Sequence, residues 1–114
     1  MSDRNPNLYL ADIMESGNAI VEFTRGMSFE EFRADRKTCS AVIREFEVIG
    51  EAVGKLPDTL KDRHRDVEWQ DIRDFRNLLV HEYFGVDLGI VWKVVCEDLP
   101  GLLSGVKQIM KDVI

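Results

Sequence analysis

The sequence predicts an all-α fold, an antiparallel four-helix-type bundle with additional short helices. Three observations carry this expectation. Apolar residues recur at three- and four-residue spacing through most of the 114 residues, no stretch alternates with a period of two for long enough to demand a strand, and the connections are brief enough to favour antiparallel neighbours. A chain of this length can bury a core without disulfides or metal, so residues 1–114 are expected to form one domain. Hydrophobic residues at 45% and charged residues at 32% suit a soluble globular protein rather than a disordered or membrane-spanning one.

Leu8, Ile13, Ile20, Val21 and Phe23 recur at roughly helical spacing, and Gly26 supplies a stop, so residues 8–24 read as a first amphipathic helix. In "SFEEF", Ser28 followed by Glu31 is a capping-box pattern that suits a short helix. A longer helix is expected from Asp35 to Lys55, with Cys39, Val42, Ile43, Phe46, Ile49, Val53 and Leu56 marking its apolar stripe. "PDTLKDRHRDV" offers Pro57 for a first helical turn, then one or two turns and a polar loop. Trp69, Ile72, Phe75, Leu79 and Val80 mark a helix over 69–84, and Gly85 is placed for a left-handed C-cap. Asp87 can cap a last helix running to the C-terminus, in which Pro100 removes a backbone donor and predicts a kink or a break.

The formal net charge of −6 argues against a protein that coats nucleic acid nonspecifically, because such affinity comes from many Lys and Arg contacts to phosphate. It leaves room for a small, locally basic cleft. The N-terminal residues are interrupted by charges, without the apolar run of a signal peptide or spanning helix, so a cytoplasmic location and no membrane partner are expected. Cys39 and Cys96 both fall in apolar helical patterns, with no CxxC or Cys/His cluster. Two buried free thiols, no metal and no cofactor are expected.

The segment "RDFRNLLVHEYFG" places polar residues in an otherwise apolar helix. At about 100° per residue, Arg76 and Tyr83 lie nearly on one line, while Asn77 and His81, four apart, form an adjacent row. In the plainest reading Arg76 pairs with a carboxylate, Asp74 or one on another helix, and His81 and Tyr83 merely finish the helix. "RNLLVHEY" nevertheless fits an R-x4-H-x-Y motif, with Arg76, His81 and Tyr83 in place. "VIGEAVGKLPD", "VEWQDIRDFRNLLVHEYFGVD" and "IVWKVVCEDLPGLL" follow the pattern of one family in the same order. Over most of its length the chain resembles the HepT-like branch of the HEPN superfamily.

The resemblance implies a homodimer that brings two motifs together across a cleft, and a metal-independent endoribonuclease toxin. Its antitoxin would be an MntA-like minimal nucleotidyltransferase that transfers AMP to the motif tyrosine. Carried over, Arg76 and His81 are the catalytic candidates, Asn77 a supporting residue and Tyr83 the AMP acceptor; RNA, whether tRNA or mRNA, is the substrate. The residue types suit the task. Metal-free cleavage needs a group that takes the 2′-OH proton, one that protonates the leaving 5′-oxygen, and a cation for the charged phosphorane. Histidine can serve as base or acid, and arginine offers a permanently charged planar fork. A phenolic oxygen is a plausible nucleophile toward an activated nucleotide. The alternative is a non-catalytic helical module that binds a nucleotidyltransferase partner or nucleotide, which the acidic net charge favours.

Three further features read as structural. Gly50 and Gly54 have the GxxxG spacing of close helix packing; Glu51 beside Gly50 is read as a solvated helix face, with projection into the cleft as the alternative. The cations Lys61, Arg63 and Arg65, with His64, are interleaved with acids and read as solvated loop. Trp69 and Trp92 are packing anchors.

Overall fold

The computed structural model describes residues 5–81 and 85–113, with side chains throughout except at 80, 81 and 113. Every regular element among the described residues is helical. Helix α1, Pro6–Thr24, starts with proline in its first turn and Asn5 as N-cap, the Asn5 side chain accepting from the Asn7 N–H at 2.9 Å. Its buried stripe is Leu10, Ile13, Gly17, Ile20 and Thr24. Ile13 and Ile20 are thus core residues as expected, but Leu8, Val21 and Phe23 are exposed because they fall off that face. The helix stops at a turn where Gly26 has φ 75°, a conformation open to glycine at little cost.

Helix α2, Phe29–Ala34, carries the expected capping box: the Glu31 N–H donates to Ser28 Oγ at 3.1 Å and the Ser28 N–H to Glu31 Oε1 at 2.9 Å. Helix α3, Arg36–Lys55, buries Cys39, Val42, Phe46, Ile49 and Val53, with Leu56 just beyond it. Asp35 caps it, accepting from the Thr38 N–H at 3.1 Å and the Thr38 hydroxyl at 2.8 Å; these bonds hold its carboxyl below the ordinary value. Helix α4, Asp58–Arg63, follows Pro57, which is the N-cap rather than a first-turn residue. The connection to the next helix is pinned by Trp69, whose ring N–H donates to the His64 carbonyl at 3.0 Å, and by buried Val67.

Helix α5 is described over Trp69–His81, so the expected extension to residue 84, and with it the helix end that Gly85 is expected to cap, lies outside the described residues. Asp87 caps helix α6, Leu88–Lys93, accepting from the Gly89 N–H at 2.8 Å. A single π turn, Val94–Asp98, then leads without a break into helix α7, Leu99–Val113. Pro100 therefore does not divide the helix. The Leu99 N–H reaches back five residues to the Val94 carbonyl, and the widened turn accommodates the proline and its missing donor.

Helix α1 packs along α3, α3 along α5, and α1 also on α7, around one apolar cluster. Trp69 belongs to that cluster, and Trp92 packs on it with its ring 4.9 Å from Phe32. Cys39 is buried as expected and its thiol meets the Phe32 carbonyl at 3.0 Å. Burial, and then the nearby Asp35 carboxylate, push that thiol above its ordinary pKa. Cys96 is exposed, contrary to expectation, because the π turn rotates it away from the side on which Val95 and Leu99 are buried. No helix among the described residues is long and apolar enough to cross a membrane.

Candidate functional site

The GxxxG spacing on α3 is where the site is built. Gly50 and Gly54 face α5 and each accepts an arginine: a Cβ at Gly50 would overlap Arg76 Cβ and Cγ, and a Cβ at Gly54 would overlap the Arg73 guanidinium. Gly50 meets Arg76 and Gly54 meets Arg73, so the two helices run antiparallel. Arg73 is turned back to structure, its Nη1 donating to the Gly50 carbonyl at 3.3 Å. Leu79, buried from the same helix, and the edge-on contact between Phe75 and Phe46 at 5.1 Å hold α5 against α3.

Arg76 lies with its stem over Gly50 and its guanidinium turned outward, the side chain 29% exposed. Its Nη2 donates to Glu51 Oε2 at 3.0 Å, and Nη1 makes a long contact of 3.4 Å to Asn77 Oδ1. Its Nε–H is buried and finds no acceptor among the described residues. Glu51, also 4.0 Å from Lys55 Nζ, is half-exposed, as a solvated face expects, and at the same time partners Arg76, as the cleft alternative expects. The partner of Arg76 is on another helix; Asp74 instead accepts from Gln70 at 3.0 Å. The signal for Glu51 was present in its place beside Gly50, but periodicity does not say which face of a glycine-rich helix meets the arginine.

Beside Arg76 is an open groove of about 310 Å³ between α1 and α3, whose walls include Tyr9, Arg44, Val48, Glu51 and Lys55. A second cavity, of about 300 Å³, is bounded by α5 and the π turn; it has an apolar floor with Phe46, Ile72 and Phe75, and its rim carries Asp66, Glu68, Asp71, Glu97 and Asp98. Among the described residues no Lys or Arg lines this second cavity. The second cavity repels phosphate, while the groove sets the cations Arg44, Lys55 and Arg76 among the carboxylates Asp12, Glu47 and Glu51.

Of the residues singled out from the sequence, the backbone places Arg76, Asn77 and His81 on α5, with Asn77 exposed and touching Arg76. The His81 side chain and the whole of Tyr83 lie outside the described residues. Lys61 is tied to the Val53 carbonyl at 3.4 Å and to Asp58 at 3.8 Å, and Arg65 to Asp62 at 3.9 Å, in keeping with a structural and solvated segment. Among the described residues no group of three or more His, Cys, Asp or Glu could hold a metal ion.

Residues 13–109 match the model of a family described as "Ribonuclease HepT-like". The chain belongs to the HepT-like family. HepT-like relatives similar to it include "Probable ribonuclease HepT" of Thermococcus cleftensis, 44% identical over 90% of this chain and 94% of that protein. A candidate RNase of Methanocaldococcus jannaschii is 38% identical over 99% and 93%, and one of Caldanaerobacter subterraneus subsp. tengcongensis is 37% identical over 95% and 96%. No solved structure matches the chain at a significant level. The matched residues run from within α1 into α7 and include the Arg76 segment, the glycine pair opposite it and the α3 wall of the groove.

Proposed function

We propose that this HepT-like chain is the toxin of a toxin-antitoxin pair, a metal-independent endoribonuclease whose working form is a homodimer. Arg76 stabilises the charge that develops on the phosphorane, and His81 transfers protons to or from the ribose 2′-OH and the leaving 5′-oxygen. One motif supplies one histidine, so two motifs facing across a dimer cleft would supply a pair. Asn77 steadies the Arg76 fork, consistent with their contact at 3.4 Å. Tyr83 is the acceptor of AMP from an MntA-like nucleotidyltransferase antitoxin, its phenolic oxygen attacking the α-phosphate of ATP with pyrophosphate leaving. The adduct would put bulk and negative charge where RNA must lie.

The observation that carries this reading is the presentation of Arg76. Its stem is seated on a glycine, its charge is held by Glu51, and its guanidinium opens onto a groove in a chain whose relatives carry ribonuclease names. A merely structural arginine, such as Arg73, is instead capped on a backbone carbonyl. The acidic net charge favours a second reading, a helical module that binds a nucleotidyltransferase or nucleotide without cleaving RNA. Incubating purified protein with tRNA and mRNA in EDTA, beside His81→Ala, separates the two. Cleavage that vanishes in the variant is expected; no cleavage by the wild type favours the module, and equal cleavage by both forms removes His81 from the chemistry. For the switch, Tyr83→Phe should retain much of the cleavage and lose AMP incorporation from labelled ATP and antitoxin.

A further inference from the structure

We infer that the groove between α1 and α3 is the path of the RNA strand, with Arg44 and Lys55 binding the backbone phosphates on either side of the one at Arg76. This rests on the ribonuclease reading above and adds the direction and the contacts of the substrate.

The placement follows from helix geometry. Arg44, Val48, Glu51 and Lys55 succeed one another at spacings of four, three and four residues, so they form a single stripe along α3, and all line the groove. From Arg44 to Lys55 the helix rises roughly 16 Å, enough to pass more than one phosphate of an extended strand. Arg76 comes in from α5 and meets this stripe at Glu51, between the two cations. A phosphate at the Arg76 guanidinium therefore has a cation to each side along the axis of the strand. Arg44 is exposed and makes no ion pair with the described residues, while Lys55 is half-exposed and held only at 4.0 Å by Glu51. Both can turn to phosphate without breaking a buried contact.

Carboxylates also line the groove, at Asp12 and Glu47 as well as Glu51, so its field alternates rather than being uniformly positive. That pattern confines phosphate to the cation positions, and the Glu47 carboxylate suits an amino group on a base edge, which donates hydrogen bonds. Tyr9 adds an aromatic wall. Among the described residues the other large cavity offers five rim carboxylates and no cation, so a strand leaving Arg76 is turned away from α5 and the π turn and toward α1.

The test uses the full-length chain carrying His81→Ala, so that RNA is bound and not cut, and a fluorescein-labelled single-stranded RNA. Anisotropy gives Kd across a salt series for this protein, for the same protein with Arg44→Glu and Lys55→Glu, and for a control with Lys107→Glu and Lys111→Glu. The control carries the same change in net charge on exposed residues of α7. The groove pair should weaken binding tenfold or more and flatten the slope of log Kd against log salt by about 1.4, the value for two lost single-strand phosphate contacts. The control should keep the slope. Equal weakening by both pairs, or an unchanged groove variant, overturns the path while leaving a cleaving wild type intact as a ribonuclease. RNA that neither binds to nor is cut by any form overturns the ribonuclease reading and the path together.

Discussion

Replacing Gly50 by alanine tests whether α3 and α5 are seated on each other as closely as the site requires. A Cβ there would overlap Arg76 Cβ and Cγ and stand 3.4 Å from its Cδ. These are the stem atoms next to the α5 backbone, which cannot swing away as a flexible tip could. Gly101 is also inside a helix, α7, yet a Cβ there would meet nothing within 4 Å. Both substitutions gain the same helix propensity, about 1 kcal/mol for alanine over glycine. That gain cancels in the comparison and leaves the overpacking term, about 1–3 kcal/mol. Gly101→Ala should be stabilising, and Gly50→Ala should lie about 1–3 kcal/mol below it. Urea denaturation followed by circular dichroism measures both. Gly50→Ala should also lose most RNA cleavage, because Arg76 is pushed off its seat. Equal stabilisation by the two alanines, with cleavage intact, would show that Gly50 and Arg76 are not in contact.

Other expectations follow from the same contacts. Glu51→Ala removes a half-exposed partner of Arg76 and should cost at most about 1 kcal/mol in urea, since exposed ion pairs contribute little; a loss of several would mean that the pair is far more buried. Asp35 has a folded pKa below its ordinary 3.8, so its stabilisation is present above that value and is lost as pH falls through the depressed one. Asp35→Asn, which keeps a capping side chain, should flatten the acid limb of the stability profile, and an unaltered limb would contradict the cap. In the native protein a maleimide should label Cys96 quickly and Cys39 only after unfolding, because one is exposed and the other is buried with its thiol pushed up. Mass spectrometry showing rapid double labelling would contradict this.

Helix limits were legible where side chains announce them locally. Ser28 with Glu31, and Asp87 before α6, are caps whose partners are three or fewer residues away, so a short window of sequence contains the whole interaction. The stripe of α3 was legible for a related reason, since a helix buried along one side must repeat its apolar residues at its own period. Phe23 and Val21 misled because apolar residues also occur on exposed faces, and spacing alone does not say which stripe faces the core. At Pro100 the missing donor was readable but the remedy was not, because a π turn is a tertiary accommodation with no residue signature of its own.

The candidate site divides along the same line. Arg76 and Asn77 stand together within one helix, and their spacing was visible. Glu51 is 25 residues away from Arg76 in sequence, and the groove needs α1 as well as α3, so neither can be deduced from any local pattern. The GxxxG spacing did announce a close approach, but only the fold shows that what approaches is an arginine.

The central claim is that Arg76 is presented for phosphate chemistry rather than for holding the bundle together. Its most direct test is cleavage of RNA in EDTA by Arg76→Ala, measured beside the wild type on protein whose urea midpoint has been checked. The account predicts a folded variant that no longer cuts RNA. A folded variant that cuts as fast as the wild type would contradict it.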